Sequence, residues 1–374
     1  MAEKKILVEF LGKNGAGTVF TLEVAKALRN AGMEVWVLLS SGILNRKSWE
    51  AVDDELMHVC FIETGNKKTF VPATLKFMTG RGKVLSAQTG IEFDYALRTF
   101  PHPWLEFIER KLNVKRVFYI LHDPVPHTGT ERFRRAISRR NVKTADDIIV
   151  LSEKFIEPVV ELYGVEKQRV HFMKHGLLPV SVQEDDVSRI EAEKLAAYDI
   201  VYLFFGRIDK YKGLHVLAKA YEKIKAEEKS NIALVVAGSG GFSEYEEEYA
   251  ALNDAYVYNH YINDKELAAL FSLKNTVVVL PYLDATQSGV TTVAADYLRP
   301  VIASDSGALK EQLMNGEAGI FCKAGDADDL ADAMKRFICE PDLMENEIMK
   351  MSDFKKTLQW DQIIKDFFDK AEQI

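Results

Sequence analysis

Short apolar runs that alternate with helix-like segments constrain the fold of this chain more than any other feature. A first series of runs lies at residues 6–11, 35–39, 84–87, 117–121 and 148–151, and a second at 200–205, 232–237, 277–280 and 301–303. Continuous apolar runs are typical of strands buried on both faces of a parallel sheet. Helical periodicity between the runs completes βα units. The pattern therefore predicts an α/β chain with two doubly wound, Rossmann-like domains.

The chain has 374 residues, which is enough for two such domains. Between the two series, residues 181–195 are acidic and polar and lack a strand pattern. We therefore expect a first domain at residues 1–180 and a linker at 181–195. Doubly wound sheets bind ligands outside the carboxyl ends of their strands, so we expect a ligand cleft between the two domains.

Composition excludes several classes of protein. A formal net charge of -8 and a pI of about 5.6 leave no global basic field for nucleic acid. No apolar run approaches the roughly 20 residues that span a bilayer, and no signal-peptide pattern follows Met1, so we expect a soluble, cytoplasmic protein. Cys60, Cys322 and Cys339 are too far apart for a metal knuckle and are interpreted as reduced, mostly buried thiols.

A glycine-rich turn follows the first apolar run and contains Gly15 and Gly17. This strand, turn and helix pattern is also typical of nicotinamide oxidoreductases, which are the alternative enzyme class. The dinucleotide fingerprint fails here, because Phe20 occupies the third glycine position and Glu34 precedes the next strand instead of ending it.

The run at 200–205 leads into Gly206-Arg207 and, five residues later, Lys212-Gly213, before a helix that starts at Leu214. Two cations beside the positive end of a helix form a suitable site for a diphosphate. The alternative is that both are ordinary surface cations beside a helix-start glycine.

Two further loops follow strands of the second series. Gly238 and Ser239 begin a flexible loop after residue 237, where a ligand can approach the backbone closely. After residue 280 comes a loop of small and hydroxyl-bearing residues that offers N–H groups and hydroxyls to an anion, with Asp284 available for sugar hydroxyls. Its candidate binding residues are Thr286, Gln287, Ser288, Gly289, Val290 and Thr292. The alternative is a loop that only caps a buried helix.

These motifs resemble, in order and spacing, the carboxyl-terminal domain of retaining glycosyltransferases with the GT-B fold, and family 4 in particular. The resemblance runs from Gly206 to Gly319 and includes residues 300–307, Glu311 and Asn315-Gly316. It implies a donor-binding domain at 196–355. Residues 358–361 resemble the start of the family's last helix, which implies that 356–374 cross back to the first domain.

The resemblance also implies roles for individual residues. Arg207 and Lys212 would hold the donor diphosphate, and Asp284 would contact the transferred sugar in place of the first Glu of a Glu-x7-Glu motif. The second Glu, which binds the ribose in the family, falls at Thr292 or Val293, and neither is acidic.

In the first domain, Gly15 and Gly17 would lie under the donor, and His122 would be the family's active-site histidine, with a structural histidine as the alternative. The resemblance implies a sugar transferase that retains anomeric configuration and uses a UDP- or GDP-type sugar nucleotide. Its acceptor would be a glycan, glycolipid or small molecule. A non-catalytic sugar-nucleotide-binding subunit is the alternative.

Two further segments carry clusters of charged residues. Asp326-Ala327-Asp328 is interpreted as a helix cap, and no His or Cys cluster has ligand spacing, so we expect no metal and no tightly bound cofactor. Residues 105–143 carry ten cations and four acids, a local charge of +6. This segment is a candidate contact for anionic lipid or a phosphorylated acceptor, or alternatively a solvated face.

Overall fold

The computed structural model describes residues 4–371, apart from residues 67, 125–131, 181, 183–186 and 228–229. The chain forms two compact units. The first comprises Met1–Gly176 and Gln359–Ile374, and the second comprises Leu177–Leu358.

The first unit contains a seven-stranded, fully parallel sheet of order β3-β2-β1-β4-β5-β6-β7. Its strands are β1 (Lys5–Phe10), β2 (Glu34–Ser40), β3 (Met57–Ile62), β4 (Glu92–Arg98), β5 (Asn113–Ile120), β6 (Asp147–Val150) and β7 (Val170–Phe172). Its helices before β7 are α1 (Ala16–Asn30), α2 (Arg46–Glu50), α3 (Phe70–Val84), α4 (Leu105–Glu109), α5 (Arg132–Thr144) and α6 (Ile156–Tyr163). Strand order reverses between β1 and β4, which makes this the ligand-binding switch point of the sheet.

The second unit contains a six-stranded parallel sheet of order β10-β9-β8-β11-β12-β13. Its strands are β8 (Ile200–Phe205), β9 (Ile232–Ala237), β10 (Ala255–Tyr258), β11 (Thr276–Leu280), β12 (Val301–Ser304) and β13 (Ile320–Cys322). Its helices are α7 (Ala192–Ala196), α8 (Leu214–Glu227), α9 (Glu246–Ala250), α10 (Asp264–Phe271), α11 (Gly289–Asp296), α12 (Leu309–Gln312), α13 (Ala327–Cys339) and α14 (Leu343–Lys356). The switch point here lies between β8 and β11.

The last helix, α15 (Trp360–Ala371), belongs to the first unit, as the resemblance implied. Its Trp360 ring packs edge-on against Phe20 of α1, with ring centroids 5.1 Å apart. Phe367 and Phe368 each contact Phe118 of β5, with centroids 5.9 Å apart. An apolar stripe of large rings therefore fixes the helix to the first sheet.

Several local predictions are corrected by the structure. Residues 84–87 do not form a strand, since Val84 ends α3 and a turn follows; the strand at this point of the sheet is β4. The compact units divide after Gly176, and the predicted linker at 181–195 includes all of α7 but its last residue. Arg189 there donates its N–H to Glu266 over 3.1 Å, which attaches this segment to the second unit.

Two smaller predictions had different outcomes. The prediction of a helix cap at Asp326 is confirmed, because its carboxylate accepts the N–H groups of Asp328 and Asp329, each at 3.1 Å. All three cysteines are free, but Cys339 is exposed where a mostly buried set was expected. It lies at the end of α13 on the surface of the second unit.

Candidate active site

Four loops at the carboxyl ends of β8, β9, β11 and β12 lie against one another through their backbones. Gly213 has a φ of +71°, and a Cβ there would lie 1.9 Å from the carbonyl oxygen of Pro281. Gly238 has a φ of +157°, and its Cβ would lie 1.8 Å from the carbonyl oxygen of Gly206. Glycine is therefore required at both positions by close packing of loop on loop, independently of any ligand.

Lys212 is held above an aromatic ring at this edge of the second sheet. Its ammonium nitrogen lies 3.5 Å from the ring centroid of Tyr282, within the range of a cation–π interaction. The ring is fully buried, burial raises the pKa of Tyr282 to about 12, and its hydroxyl lies 3.2 Å from the Ser288 hydroxyl. The neutral tyrosine thus links the cation to the loop that starts α11.

Arg207 lies at the same edge with most of its side chain in solvent. The side chain is 61% exposed, and its guanidinium lies 3.8 Å from the carboxylate of Asp209. This is a loose, solvated pair that leaves the guanidinium accessible to an incoming anion. Asp284 is exposed on the neighbouring loop.

Gln312 fixes the start of α11, a role that no sequence motif indicated. Its side-chain oxygen accepts the Ser288 N–H over 3.0 Å, and its side-chain nitrogen donates to the Ser288 carbonyl over 2.9 Å. Ser288 is the cap residue of α11 and, with Thr286, is buried, whereas Gln287 and Gly289 are half-buried. The paired hydrogen bonds hold the backbone just before the helix in one orientation, with the first-turn N–H groups lacking helical partners.

The position expected to recognise the ribose holds no acidic group. Thr292 is fully buried and donates its hydroxyl to the carbonyl of Gly289 over 2.9 Å, and Val293 is buried as well. Val290 is half-buried in the first turn, and its side chain lies 3.9 Å from the point where Gly206 would carry a Cβ. Ser239 is exposed after β9, and its carbonyl accepts the Ile208 N–H over 3.0 Å.

In the first unit, His122 lies in an aromatic cluster where β5 ends. It stacks on Phe100 with ring centroids 4.0 Å apart and meets Phe20 edge-on at 4.8 Å. Burial, with a contribution from nearby His175, lowers the pKa of His122 to about 3. Its Nε2 lies 3.0 Å from the Thr99 carbonyl. A carbonyl only accepts, so the neutral ring carries its proton on Nε2 and leaves Nδ1 as an acceptor.

The two glycines of the first loop differ in their surroundings. Gly15 has a φ of +82° at the start of α1, and a Cβ there would have nothing within 4 Å. Gly17 is packed, since its Cβ would lie 2.8 Å from the Phe100 ring. Only Gly15 therefore has open space above it for a ligand.

In the basic segment at 105–143, four cations form ion pairs with acids. Arg110 and Arg140 both bind Glu106, Arg116 binds Asp147, and Lys115 binds Glu92 and Asp94. The described part of the chain leaves out residues 125–131 and the side chains of residues 132–134. Within the described part, no group of three or more His, Cys, Asp or Glu side chains is arranged to hold a metal ion, and no helix is long and apolar enough to cross a bilayer.

Known proteins resemble this chain in both sequence and fold. Residues 188–351, within the second unit, match the family described as glycosyl transferases group 1. An uncharacterized glycosyltransferase of Methanocaldococcus jannaschii is 25% identical over 59% of this chain and 58% of its own length. The O-antigen chain mannosyltransferase C of Escherichia coli is 25% identical over 65% of this chain and 64% of its own length. The chain therefore aligns with less than two thirds of either relative.

A crystal structure of Anabaena HepE in complex with UDP and glucose shares the fold. Its TM-score is 0.70 at 14% identity, with 100% of both chains covered. The two parallel sheets and this likeness confirm the fold class expected from the apolar runs and the motif resemblance.

Proposed function

We propose that this protein is a glycosyltransferase that moves a sugar from a UDP- or GDP-type sugar nucleotide to a hydroxyl of a glycan, glycolipid or small-molecule acceptor. The observation that carries the proposal is the arrangement of Lys212, Tyr282 and Ser288 at the amino end of α11, with Arg207 on the adjoining loop. This arrangement lies in the unit that matches the glycosyl transferases group 1 family. The UDP and glucose named in the HepE complex support the choice of donor.

The chemistry follows from where charge develops. Breaking the bond between sugar and diphosphate moves negative charge onto the departing phosphate oxygens. Lys212 and Arg207 offer two cations to that charge, and the N–H groups of Gly289 and Val290 offer hydrogen bonds at the positive end of α11. Because Lys212 and these N–H groups are held in place before reaction, we propose that the leaving group requires neither a general acid nor a metal ion.

His122 is proposed to accept a hydrogen bond from a hydroxyl of the donor sugar. Its neutral ring donates through Nε2 to the Thr99 carbonyl and carries no positive charge. Because a neutral ring attracts a phosphate less than a cation does, we assign His122 to a sugar hydroxyl and leave the phosphates to the cations of the second unit.

Asp284 is proposed as the second contact to the sugar, and Gly15 as the point where the first unit's backbone approaches the donor. We further propose retention of anomeric configuration, cytoplasmic location and no tightly bound cofactor, as the motif resemblance implies. Ribose recognition is assigned to backbone groups of the loops after β9 and β11, around Ser239 and Gln287, since Thr292 and Val293 are buried.

A binding panel followed by a turnover assay tests the proposal. We expect UDP or GDP to raise the melting temperature of the full chain, and NAD to leave it unchanged. We also expect the matching sugar nucleotide to release nucleoside diphosphate slowly in water and faster with acceptor. Nucleotide binding without any hydrolysis or transfer across a panel of donors and acceptors would contradict the enzymatic part of the proposal.

A further inference from the structure

α3 presents an apolar face to solvent. Val71 and Leu75 lie one turn apart and are 67% and 64% exposed. The opposite face of the helix is packed, with Phe77 stacked on Trp104 at a centroid distance of 4.4 Å. The two aliphatic side chains thus contribute nothing to the core of the unit, and large aliphatic groups at helical spacing on a surface are typical of a contact site.

A third exposed aliphatic side chain, Leu44, lies on a loop that is joined to the segment before α3. It is 65% exposed, and its N–H donates to the Lys13 carbonyl over 2.9 Å. The ammonium group of Lys13 in turn donates to the carbonyl of Gly65, which lies on the loop that leads into α3. Lys13 therefore ties the loop that carries Leu44 to the start of α3.

All charged residues of the segment that contains α3 are cations. Residues 64–91 contain no acid and five cations: Lys67, Lys68, Lys76, Arg81 and Lys83. Lys68, Lys76 and Lys83 are exposed, and among the described residues none of them, nor Arg81, forms an ion pair. The acid just before the segment is Glu63, whose pKa is lowered by hydrogen bonds from Ser41 and Gly65 and by Lys13 and Lys76. The surface keeps a clear positive excess.

The basic segment at 105–143 differs from the segment that contains α3. In 105–143, acids already bind Arg110, Arg140, Arg116 and Lys115, and exposed large aliphatic side chains are absent from its described residues. Among the helices whose side chains the structure describes, only α3 combines unpaired cations with exposed aliphatic groups.

We propose that the exposed face of α3, with Leu44, is a docking surface for a bilayer that contains anionic lipid. Cations attract the phosphate headgroups, and aliphatic side chains enter the acyl boundary beneath them. A nucleic acid would leave Val71 and Leu75 exposed. A second copy of this chain would bring two sets of cations face to face, at an electrostatic cost. The proposal goes beyond glycosyl transfer and does not rest on it.

Vesicle co-sedimentation of the full chain tests the surface. We expect binding to vesicles of phosphatidylglycerol with phosphatidylcholine, weak binding to pure phosphatidylcholine, and release by about 0.5 M salt. The double variants Val71→Ser/Leu75→Ser and Lys76→Gln/Lys83→Gln should each weaken binding roughly tenfold or more. Circular dichroism and tryptophan fluorescence would verify that each variant is folded.

Matched controls alter similar side chains elsewhere. Leu162→Ser removes an exposed leucine of α6, and Lys219→Gln/Lys274→Gln removes two exposed cations of the second unit; both should bind vesicles as the parent does. The proposal is overturned if no vesicles bind, if the α3 variants bind unchanged, or if Arg139→Gln/Lys143→Gln abolishes binding instead. Salt-sensitive RNA binding without vesicle binding, or lipid-free self-association lost in Val71→Ser/Leu75→Ser, would also overturn it. Because the assay contains no nucleotide or sugar, it is independent of transferase activity.

Discussion

At the scale of single residues, the proposed diphosphate site depends most on two cations, Lys212 above the Tyr282 ring and Arg207 on the same loop. We expect Lys212→Ala and Arg207→Ala each to lower turnover by roughly 100-fold or more, because each removes a positive charge opposite the developing diphosphate. Lys210→Ala is the matched control, since Lys210 occupies the same turn but is 81% exposed and paired with Glu244. Steady-state kinetics would check this, and losses below threefold in both variants would exclude the diphosphate role.

Asp284 separates recognition of sugar from recognition of diphosphate. We expect Asp284→Ala to leave the affinity for the free nucleoside diphosphate nearly unchanged, because its exposed carboxylate is assigned to the sugar alone. Affinity for the intact sugar nucleotide, and turnover, should both fall. Calorimetric titration with each ligand compares the two affinities, and equal weakening would move Asp284 away from the sugar.

The pH dependence of nucleotide affinity can show whether Gln312 positions the start of α11 for binding or only contributes to stability. In Gln312→Glu the new carboxylate still accepts the Ser288 N–H but repels the Ser288 carbonyl, so nucleotide affinity at pH 8 should drop roughly tenfold. Protonation restores a donor, so affinity should recover towards pH 5.5, while Gln312→Met should stay weak at both values. A parallel pH response in the parent protein or in Gln312→Met would refute this positioning role.

At the scale of elements, two glycines differ in whether the structure has room for a larger side chain. Gly80 lies inside α3, and a Cβ there would have nothing within 4 Å, whereas one on Gly213 would lie 1.9 Å from the Pro281 carbonyl. We expect Gly80→Ala to stabilise the protein by about 0.5–1 kcal/mol, because alanine loses less backbone entropy in a helix. Gly213→Ala should destabilise it and weaken nucleotide binding. Denaturant unfolding of both variants gives the sign of each change, and stabilisation by Gly213→Ala would contradict the packing argument.

The elements also show what a sequence pattern can and cannot predict. Strands β8, β9 and β11 were predicted because their residues, apart from the first residue of β11, form continuous apolar runs, and in the structure all of these residues but Phe205 are buried. Strand β4 was missed although it is central, because Glu92, Asp94 and Arg98 interrupt its apolar pattern. Arg98 is tolerated there through its buried pair with Glu109.

The candidate site shows the same limit for contacts between distant residues. The loops were predicted by composition and position after a strand. The bonds from Gln312 to Ser288, and the packing of Lys212 on Tyr282, join residues that only the folded loops bring together. No local spacing predicts such contacts, so the sequence indicated which loops matter but not what holds them.

At the scale of the whole molecule, the tryptophans and the buried histidines with lowered pKa values lie in the first unit. All four tryptophans, Trp36, Trp49, Trp104 and Trp360, belong to the first unit. Burial lowers the pKa of His102 and His175 to about 4 and that of His122 to about 3, and these residues are also in the first unit. Glu9 opposes them, because burial and Glu109 raise its pKa well above the usual value.

The three histidines make the first unit sensitive to mild acid. Below pH 6.5 the unfolded chain binds protons on them and the folded chain does not, so stability falls as pH decreases towards 4; Glu9 offsets part of this loss. We expect the melting temperature reported by tryptophan fluorescence to drop by roughly 5 °C or more per pH unit between pH 6 and 5. His102→Gln should flatten this dependence by about a third, since one of three proton sites is lost, whereas His215→Gln, in α8 of the second unit, should not. A melting temperature that is constant from pH 6.5 to 5 would mean that these rings are hydrated enough to take up protons in the folded state.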